Sequence, residues 1–526
     1  MLKIIPKLFF IALLVCVFLF GFKSQAQKTA KTPKEFLITN YGAIADGTTL
    51  NTIAIQKAID AAFKNRGGCV VFPKGAFLSG SIQMKTNVSL LLEEGAVLLG
   101  STNPDDYIKM EFPGRPDSPK KDDNSQMALI LAHKATNIKL YGKGKIDGQG
   151  LQLALNIDSL HHAGIAIDPK YTIRRNRPNE TMRPKLFRFS QCDNVTIEGL
   201  QVGEASCWGL SFELCSNLVL DKLTIVNRSY WNNDGIDITD CKNVKVTNCD
   251  INAADDGICL KSYYPGYFND SIYIANCTIR SSASAIKFGS ASFGGFKNVI
   301  IKDIKVYDTF RSAIAIESVD GAIIENIDVS NIDAVNTGNA IFIRLGQRSG
   351  DKPGSIKNVS IKNIKVQVPF GRPDINYDLR GPEVDFFHNP FPASIVGLEG
   401  YAIEKVTLEN IEINYPGRAS KGMAYIPLSR LNQVPEATKD YPEFSMFGEL
   451  PAYGFYVRHV NGISMKNIKL TLDNPDFRPA FVFDDVKGIR MEEITVPKKQ
   501  KGQIILKNSK EIGLDTDSNL MLNTVN

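Results

Sequence analysis

The sequence predicts an all-β fold, a single-stranded right-handed parallel β-helix in which the chain coils as a solenoid. A motif of the form Asn-Val-x-Ile-x-x-Ile/Leu recurs at intervals of roughly 23 to 28 residues. Within each copy, aliphatic residues alternate with Lys, Thr, Glu or Asp, as in a strand with one buried face. We see no helical pattern between copies and no Leu-rich consensus. Both features favour a β-helix over other solenoids.

The motif copies set the expected register of the coils. The first apolar residue of the first six copies falls at positions 195, 218, 244, 272, 299 and 322, and later copies begin at Val359, Val406, Ile463 and Ile489. Residues one period apart should lie on adjacent coils, about 4.8 Å from each other. The wider spacing of the later copies indicates insertions between them.

Four segments are expected: a signal peptide (1–26), an N-terminal capping region (27–100), the β-helix with long loop insertions (101–510) and a C-terminal tail (511–526). In the capping region, apolar residues at helical spacing before Gly67-Gly68 predict a helix over 51–66 that covers the end of the core; they are Ile55, Ala58, Ile59, Ala62 and Phe63. Inserts at roughly 101–134, 147–187, 366–400 and 413–456 should be loops that wall a groove.

The first residues have the pattern of a secretory signal. Lys3 and Lys7 accompany an apolar run from Leu8 to Phe22, and small residues precede a cleavage site after Ala26. The run of about 15 residues is shorter than the about 20 that span a membrane. We therefore expect an exported protein, periplasmic or secreted, with no membrane span after the signal is removed.

Charge and cysteine content exclude several classes of function. Removing the three signal-peptide lysines lowers the formal net charge from +5 to +2, which gives no support for a nucleic-acid partner. Cys192, Cys215 and Cys241 hold one place in three successive copies, as small buried apolar residues would. The sequence has no CxxC pair and no histidine cluster, so we expect neither metal nor cofactor.

Three aspartates carry the candidate chemistry. Asp234 lies in Asn-Asn-Asp-Gly, and the pair Asp255-Asp256 begins 255 − 234 = 21 residues later, about one coil. We expect three carboxylates on one patch, where each raises the pKa of its neighbours. Such a cluster suits a proton donor beside an acceptor, or a metal. The alternative is turn chemistry, since Asn-Asp-Gly and Asp-Asp-Gly are common turn sequences.

With these motifs in their order, the chain resembles the polygalacturonase-type glycoside hydrolases, family 28, which also include rhamnogalacturonan hydrolases. The resemblance runs from about Phe36 to Lys365. It includes Tyr41-Gly-Ala-Ile-Ala-Asp-Gly47, Gly142-Lys-Gly-Lys-Ile-Asp-Gly148 and the two aspartate motifs. It implies inverting hydrolysis of a pectic polysaccharide or its oligosaccharides, of galacturonan or rhamnogalacturonan type. Asp255 would be the general acid, and Asp234 and Asp256 would activate water, with acid and base about 6.5–9.5 Å apart.

Two segments depart from the family pattern. The family's Gly-His-Gly corresponds to Ala283-Ser284-Ala285, and its Arg-Ile-Lys, which grips a uronate carboxylate, corresponds to Ala315-Ile316-Glu317. Other side chains should therefore bind the substrate. The candidates are Asn233, Lys261, Lys287, Arg311, Glu317 and Arg344.

Two other functions remain open from the sequence. A polysaccharide lyase would hold calcium on the three aspartates and use Lys261 or Lys287 as the base. A non-catalytic, carbohydrate-binding β-helix would keep the groove without turnover. We expect a polysaccharide or oligosaccharide as the partner of a monomer.

Overall fold

The computed structural model describes residues 33–119, 125–173, 176–374, 390–423, 426–497, 501–515 and 521–524. The predicted signal peptide lies outside these residues. The chain from Lys34 onward forms one compact unit. Among the helices described, none combines the length and the apolar character needed to cross a membrane.

The strands of the first coils are short and run three to a coil. In chain order they are β1 Glu35–Leu37, β2 Asp46–Leu50, β3 Gly68–Phe72, β4 Gly75–Ser79, β5 Ile82–Gln83, β6 Val88–Leu92, β7 Ala96–Gly100, β8 Ala128–His133, β9 Thr136–Gly142, β10 Lys145–Asp147, β11 Lys185–Ser190, β12 Asp193–Glu198, β13 Gln201–Gly203, β14 Leu210–Glu213, β15 Ser216–Asp221 and β16 Thr224–Asn227.

From β21 onward, several strands merge across bends and become longer. The remaining strands are β17 Ile236–Thr239, β18 Lys242–Thr247, β19 Asp250–Ala253, β20 Ile258–Ser262, β21 Asn269–Ser281, β22 Ile286–Ser292, β23 Gly295–Ser318, β24 Ile323–Leu345, β25 Ser355–Gln367, β26 Ala393–Val396, β27 Ile403–Tyr415, β28 Phe455–Leu472, β29 Phe481–Thr495, β30 Lys501–Lys507, β31 Lys510–Asp515 and β32 Met521–Thr524. Each pairs in parallel with the equivalent strand of the next coil.

This stacking is the predicted β-helix, and the register confirms all but one of the predicted repeat positions. Val195, Leu218, Val244, Ile272 and Val299 follow one another as paired residues. The sixth position was wrong, because Val299 pairs with Ile327 rather than residue 322. From Ile327 the ladder continues through the four later predicted copies. Pairing also passes residue 510, since Ile489 pairs with Ile512.

The asparagine that leads each motif copy has a structural reason. Asn137, Asn194 and Asn243 are among many residues with positive φ, a conformation that Asn tolerates better than most residues. Their amides also bond along the stack. Asn194 donates to Asn137 at 2.7 Å, and Asn243 donates to Asn217 at 2.8 Å. The repeat therefore encodes both the bend and its bonds to the next coil.

The N-terminal helix spans Thr52–Lys64 and packs four of its five predicted apolar residues into the core. Phe63 is the exception, at 46% exposed. A second helix, Gly150–His162, lies within the insert that we predicted as a loop. Short 3-10 helices occupy Ile38–Tyr41, Pro104–Asp106, Glu180–Met182, Lys421–Met423 and Leu428–Gln433.

Apolar residues form one continuous core inside the coils and a second core outside them. The second core joins residues of the sheet's outer face, such as Phe342 and Tyr456, to residues of the insert before β28, such as Leu431, Phe444 and Phe447. The eight cysteines of the described chain are free and buried, which confirms their predicted role as apolar residues. Part of the outer face is therefore covered, and part remains for a site.

Candidate active site

Asp234 and Asp256, rather than Asp234 and Asp255, are neighbours in the register. The Gly235 amide donates to the Asp256 carbonyl at 2.9 Å, and Ile236 pairs with Ile258. One coil is thus 22 residues here, not the 21 that separate Asp234 from Asp255. The Asp255 amide instead donates to the Asn233 carbonyl, at 3.2 Å. All three aspartates still lie on two adjacent turns at the start of neighbouring strands.

The glycines after the aspartates allow the coils to approach. A Cβ on Gly235 would lie 2.5 Å from the Gly257 carbonyl oxygen, and one on Gly257 would lie 2.7 Å from the Ala285 carbonyl oxygen. Both contacts are shorter than van der Waals separation. The Asp-Gly sequences are therefore explained by packing between coils, which leaves the role of the aspartates to their own contacts.

Asn233 fixes the turn that carries Asp234. Its amide nitrogen donates to the carbonyls of Ala205 (2.9 Å) and Cys207 (2.7 Å), and its amide oxygen accepts from the Tyr230 amide. The side chain is fully buried. Its polar atoms are directed at the backbone, so the structure gives Asn233 a supporting role in place of the expected contact with substrate.

Lys261 is paired with two carboxylates at the site. Its ammonium lies 3.2 Å from Asp234 and 3.0 Å from Asp237. Burial alone would lower the pKa of Lys261, but the charges of Asp237, Cys259 and Asp234 raise it well above the ordinary value. Burial and the negative charge of Asp234 raise the pKa of Asp237. Lys261 therefore stays charged and stabilises the ionised form of Asp234.

A second lysine performs the same role for Asp256. Lys287 lies 3.2 Å from the Asp256 carboxylate and donates to the Tyr441 hydroxyl at 3.1 Å. Asp256 also accepts from the Ser284 amide at 3.1 Å. Burial opposes ionisation, but Lys287, Lys261 and Arg311 hold the pKa of Asp256 below its usual range. Asp256 is therefore an ionised carboxylate.

Asp255 is the most exposed of the three aspartates, at 8% against 3% for both Asp234 and Asp256. Its carbonyl accepts from the Ser281 hydroxyl, which ties its backbone to the next coil. The expected charge cluster is thus partly neutralised, because each of the other two carboxylates faces its own lysine. Asp255 differs from them in its somewhat greater exposure.

Glu317 belongs to the same buried cluster. Only 1% of it is exposed, and burial raises its pKa to about 8, with Lys287 opposing this and Asp256 adding to it. Its Oε2 lacks a hydrogen-bond partner among the described residues. At neutral pH this side chain is a protonated acid near Lys287, and its burial leaves it little access to a sugar.

The two candidate arginines differ in position. Arg311 is 3.2 Å from Glu443 and lies near the Tyr441 ring, so it belongs to the site. Arg344 donates to the carbonyls of Gly397, Glu436 and Ala437 and lies on β24, three coils beyond the strand of Lys261. The prediction that Arg344 binds substrate does not fit this position, because its donors anchor the insert.

Tyr441 and Glu443 were not predicted from the sequence as site residues. They lie on the insert before β28, about 150 residues from Lys287, and no motif marks them. Half of Tyr441 is exposed, although its hydroxyl is buried between Lys287 and Arg311, which lower its pKa against the effect of burial. The only available signal was an aromatic residue within the predicted insert 413–456.

Among the residues that the structure describes, one group of acidic and thiol side chains has the spacing of metal ligands. It consists of Asp234, Asp237 and Cys259. The Lys261 ammonium lies 3.2 Å, 3.0 Å and 3.1 Å from these residues respectively and therefore already supplies the cation. A thiol is also a poor ligand for calcium, which prefers oxygen. This group therefore does not fit a calcium site. Of the three aspartates that a lyase was expected to use for calcium, Asp234 and Asp256 each face a lysine instead.

Comparison with known proteins identifies the family. The family model of glycosyl hydrolases family 28 matches residues 70–372. A second model, rhamnogalacturonase A/epimerase, pectate lyase-like, matches residues 36–98.

Three relatives illustrate the similarity. An exo-poly-alpha-D-galacturonosidase of Dickeya chrysanthemi is 25% identical over 71% of this chain and 68% of its own length. A probable polygalacturonase of Vitis vinifera is 24% identical over 63% and 60%. An endo-polygalacturonase of Pectobacterium carotovorum subsp. carotovorum is 26% identical over 61% and 79%.

Solved structures share the fold. An exopolygalacturonase of Thermotoga maritima aligns with a TM-score of 0.60 at 19% identity, covering 84% of this chain and 93% of that one. A polygalacturonase of Erwinia carotovora ssp. carotovora aligns with a TM-score of 0.52 at 20% identity, covering 74% and 96%. These similarities confirm the right-handed parallel β-helix class.

Proposed function

The chain belongs to glycosyl hydrolase family 28, and we propose that it hydrolyses glycosidic bonds of a galacturonate-containing pectic chain by an inverting mechanism. The observation that carries the proposal is that two aspartates on adjacent turns each form an ion pair with its own buried lysine, beside a third aspartate. Membership in the family already makes the protein a glycoside hydrolase. The substrate and the roles of the residues are the proposal.

The proposed roles follow from the partners of each aspartate. Lys287 favours the ionised form of Asp256, and Lys261 forms an ion pair with Asp234, which suits groups that orient and deprotonate a water molecule. Asp255 is the general acid that protonates the departing oxygen, in agreement with its greater exposure and with the family pattern. Hydrolysis adds water across the bond, so each product carries a saturated sugar ring.

Tyr441 completes the site from the insert. Its hydroxyl is held by Lys287, and half of the residue remains exposed next to the aspartates. An aromatic ring fixed in this way suits stacking on a sugar ring. Lys287 then has two roles, since it pairs with the Asp256 carboxylate and positions Tyr441.

Product analysis tests the proposal. The protein is incubated with polygalacturonan, rhamnogalacturonan and their oligosaccharides, beside the Asp255→Asn variant. Mass spectrometry should find products that have gained one water and are absent with the variant, and proton NMR should find the first product with inverted anomeric configuration. Unsaturated products lacking that water would indicate a lyase. Binding without products from any of these substrates would indicate a carbohydrate-binding protein.

The proposal includes export, since the first 26 residues have the pattern of a cleaved signal. Mass spectrometry of the N-terminus of the mature protein tests this point. A chain that begins at Gln27 supports it, and a mature chain that retains residues 1–26 contradicts it.

A further inference from the structure

The ladder position that carries Asp234 and Asp256 continues toward the N-terminus. The Gly209 amide donates to the Asp234 carbonyl, and the Leu186 amide donates to the Trp208 carbonyl. Lys185, Trp208, Asp234 and Asp256 therefore hold equivalent places on four successive coils. At about 4.8 Å per coil, the backbone of Lys185 is about 10 Å from that of Asp234.

Lys185 is buried without an acidic partner. Only 4% of it is exposed, its ammonium lies 4.2 Å from the centre of the Trp208 ring, and it donates to the Ser211 hydroxyl at 3.2 Å. Within the described ranges of the chain, no carboxylate lies within 4 Å of it. Lys261 lies on the same ring, at 4.5 Å, but has Asp234 and Asp237.

An unpaired buried ammonium is costly, because its hydration is lost and no anion replaces it. Burial and the charge of Arg188 lower the pKa of Lys185 to about 8, so it is still mostly protonated near neutral pH. Arg188 is occupied by the carbonyls of Met110 and Gln126. Asp237 and Glu213 act on Lys185 from a greater distance and oppose this lowering. Lys185 is thus a buried cation of this ladder with no carboxylate of the described residues at ion-pair distance.

We propose that Lys185 binds the carboxylate of an unesterified uronate residue of the substrate, on the N-terminal side of Asp234. The inference rests on the proposed function, since it places an acidic sugar near the scissile bond. A separation of about two coils suits a sugar adjacent to the bond. Trp208, held between Lys185 and Lys261, keeps the ammonium in place.

The test is a cycle between two enzymes and two substrates. Wild type and Lys185→Met are compared on galacturonate oligosaccharides and on the same oligosaccharides with methyl-esterified carboxyls. A charged hydrogen bond of this kind contributes roughly 10- to 100-fold in affinity. Lys185→Met should lose that factor in kcat/KM, mainly through KM, on the free acid and little on the ester. If an ester is not cleaved, its inhibition constant against cleavage of the free acid is compared between the two enzymes instead of kcat/KM.

Two further variants distinguish binding from folding. Lys185→Arg keeps the charge and should restore most of the preference for the free acid. Lys139→Met removes a lysine from another ring, that of Tyr141 at 4.6 Å, and should change neither rate. If Lys185→Met fails to melt cooperatively, the Lys185→Arg variant and the wild-type preference for free acid over ester decide the matter.

The outcomes separate the two proposals. If the wild type is active and Lys185→Met loses kcat/KM equally on the free acid and the ester, the role of Lys185 is overturned. The proposed function then stays intact. No wild-type preference for the free acid also overturns it. Absence of wild-type hydrolysis of every uronate-containing substrate overturns the proposed function itself.

Discussion

One column of the outer sheet face has opposite character in two regions of the molecule. In the coils around the aspartates it contains Asp237, Cys259 and Lys287, which pair in sequence along the sheet. From the next coil the same column contains Ala315 and then Phe342. The change occurs between Lys287 and Ala315, where the insert with Phe444 begins to cover the sheet.

The difference shows that the β-helix itself does not decide where a site forms. The strands, their spacing and their inward residues are alike in both regions. The outward residues determine whether a segment packs through apolar contacts or through paired charges. Tyr441 and Glu443 lie on that insert and contact the charged region, so the covered region also completes the site.

The largest expected effect is on turnover, and it comes from a substitution in the charged region. Asp255→Asn should lower kcat by roughly 100- to 10,000-fold, since a general acid contributes about that factor. Kinetics on the best substrate measures it. Asp250→Asn, an exposed aspartate five residues earlier, is the matched control and should retain wild-type activity. Equal activity of both variants would contradict the assigned acid.

In the covered region, a substitution should change the stability of the insert rather than the activity. Phe444 is buried, with ring centroids 5.8 Å from Phe310 and 5.1 Å from Phe391, and Phe444→Ala should cost roughly 3–5 kcal/mol in local unfolding free energy of the insert. Hydrogen exchange of residues 426–450 measures it. Phe63→Ala, at a half-exposed ring, should cost less than about 1 kcal/mol. If these amides were equally protected from hydrogen exchange in the two variants, the second core would not be what stabilises the insert.

A smaller effect is expected on the pH profile of the charged region. Lys287 favours the ionised form of Asp256, so Lys287→Met should raise the pKa of Asp256 and move the acidic limb of the kcat/KM profile to higher pH. Lys297→Met, which removes a partly exposed lysine 3.7 Å from Asp270, should leave the limb in place. If the acidic limb of kcat/KM stayed in place in both variants, Asp256 would be excluded as the base.

The smallest effect concerns the attachment of the insert. His459 contacts Asp485 at 2.6 Å and Glu436 of the insert at 3.1 Å. Burial lowers its pKa, but these two carboxylates raise it above 6.5 overall. A raised folded-state pKa gives stability that is complete below about pH 6.5 and is lost as pH rises through the folded value.

Protease resistance of the insert should therefore fall as pH rises above about 6.5, by about 1 kcal/mol in opening free energy. His459→Gln should remove this dependence. His162→Gln alters a histidine on the second helix and should preserve it. A wild-type insert whose resistance does not change over this range would show that the protonated imidazole adds nothing to the attachment.

Much of this structure was predictable because its signals are local. Alternation within each motif sets which residues point inward, and Asn tolerates the positive φ at each bend. The slip from residue 322 to Ile327 shows the limit, since Ala322 and Ile327 both follow strand-like patterns and only pairing with Val299 decides between them. The helix Gly150–His162 was missed for a similar reason, within an insert without repeats.

The sequence by itself determined the coils, the N-terminal helix and the neighbouring turns that hold Asp234, Asp255 and Asp256. The tertiary structure alone decided that Asp256 rather than Asp255 lies opposite Asp234, because one residue of register depends on loop length between strands. It also decided that Asn233 and Arg344 bind backbone and that Tyr441 reaches Lys287. Those contacts join residues far apart in the chain, and packing between distant segments leaves no periodic trace in a sequence.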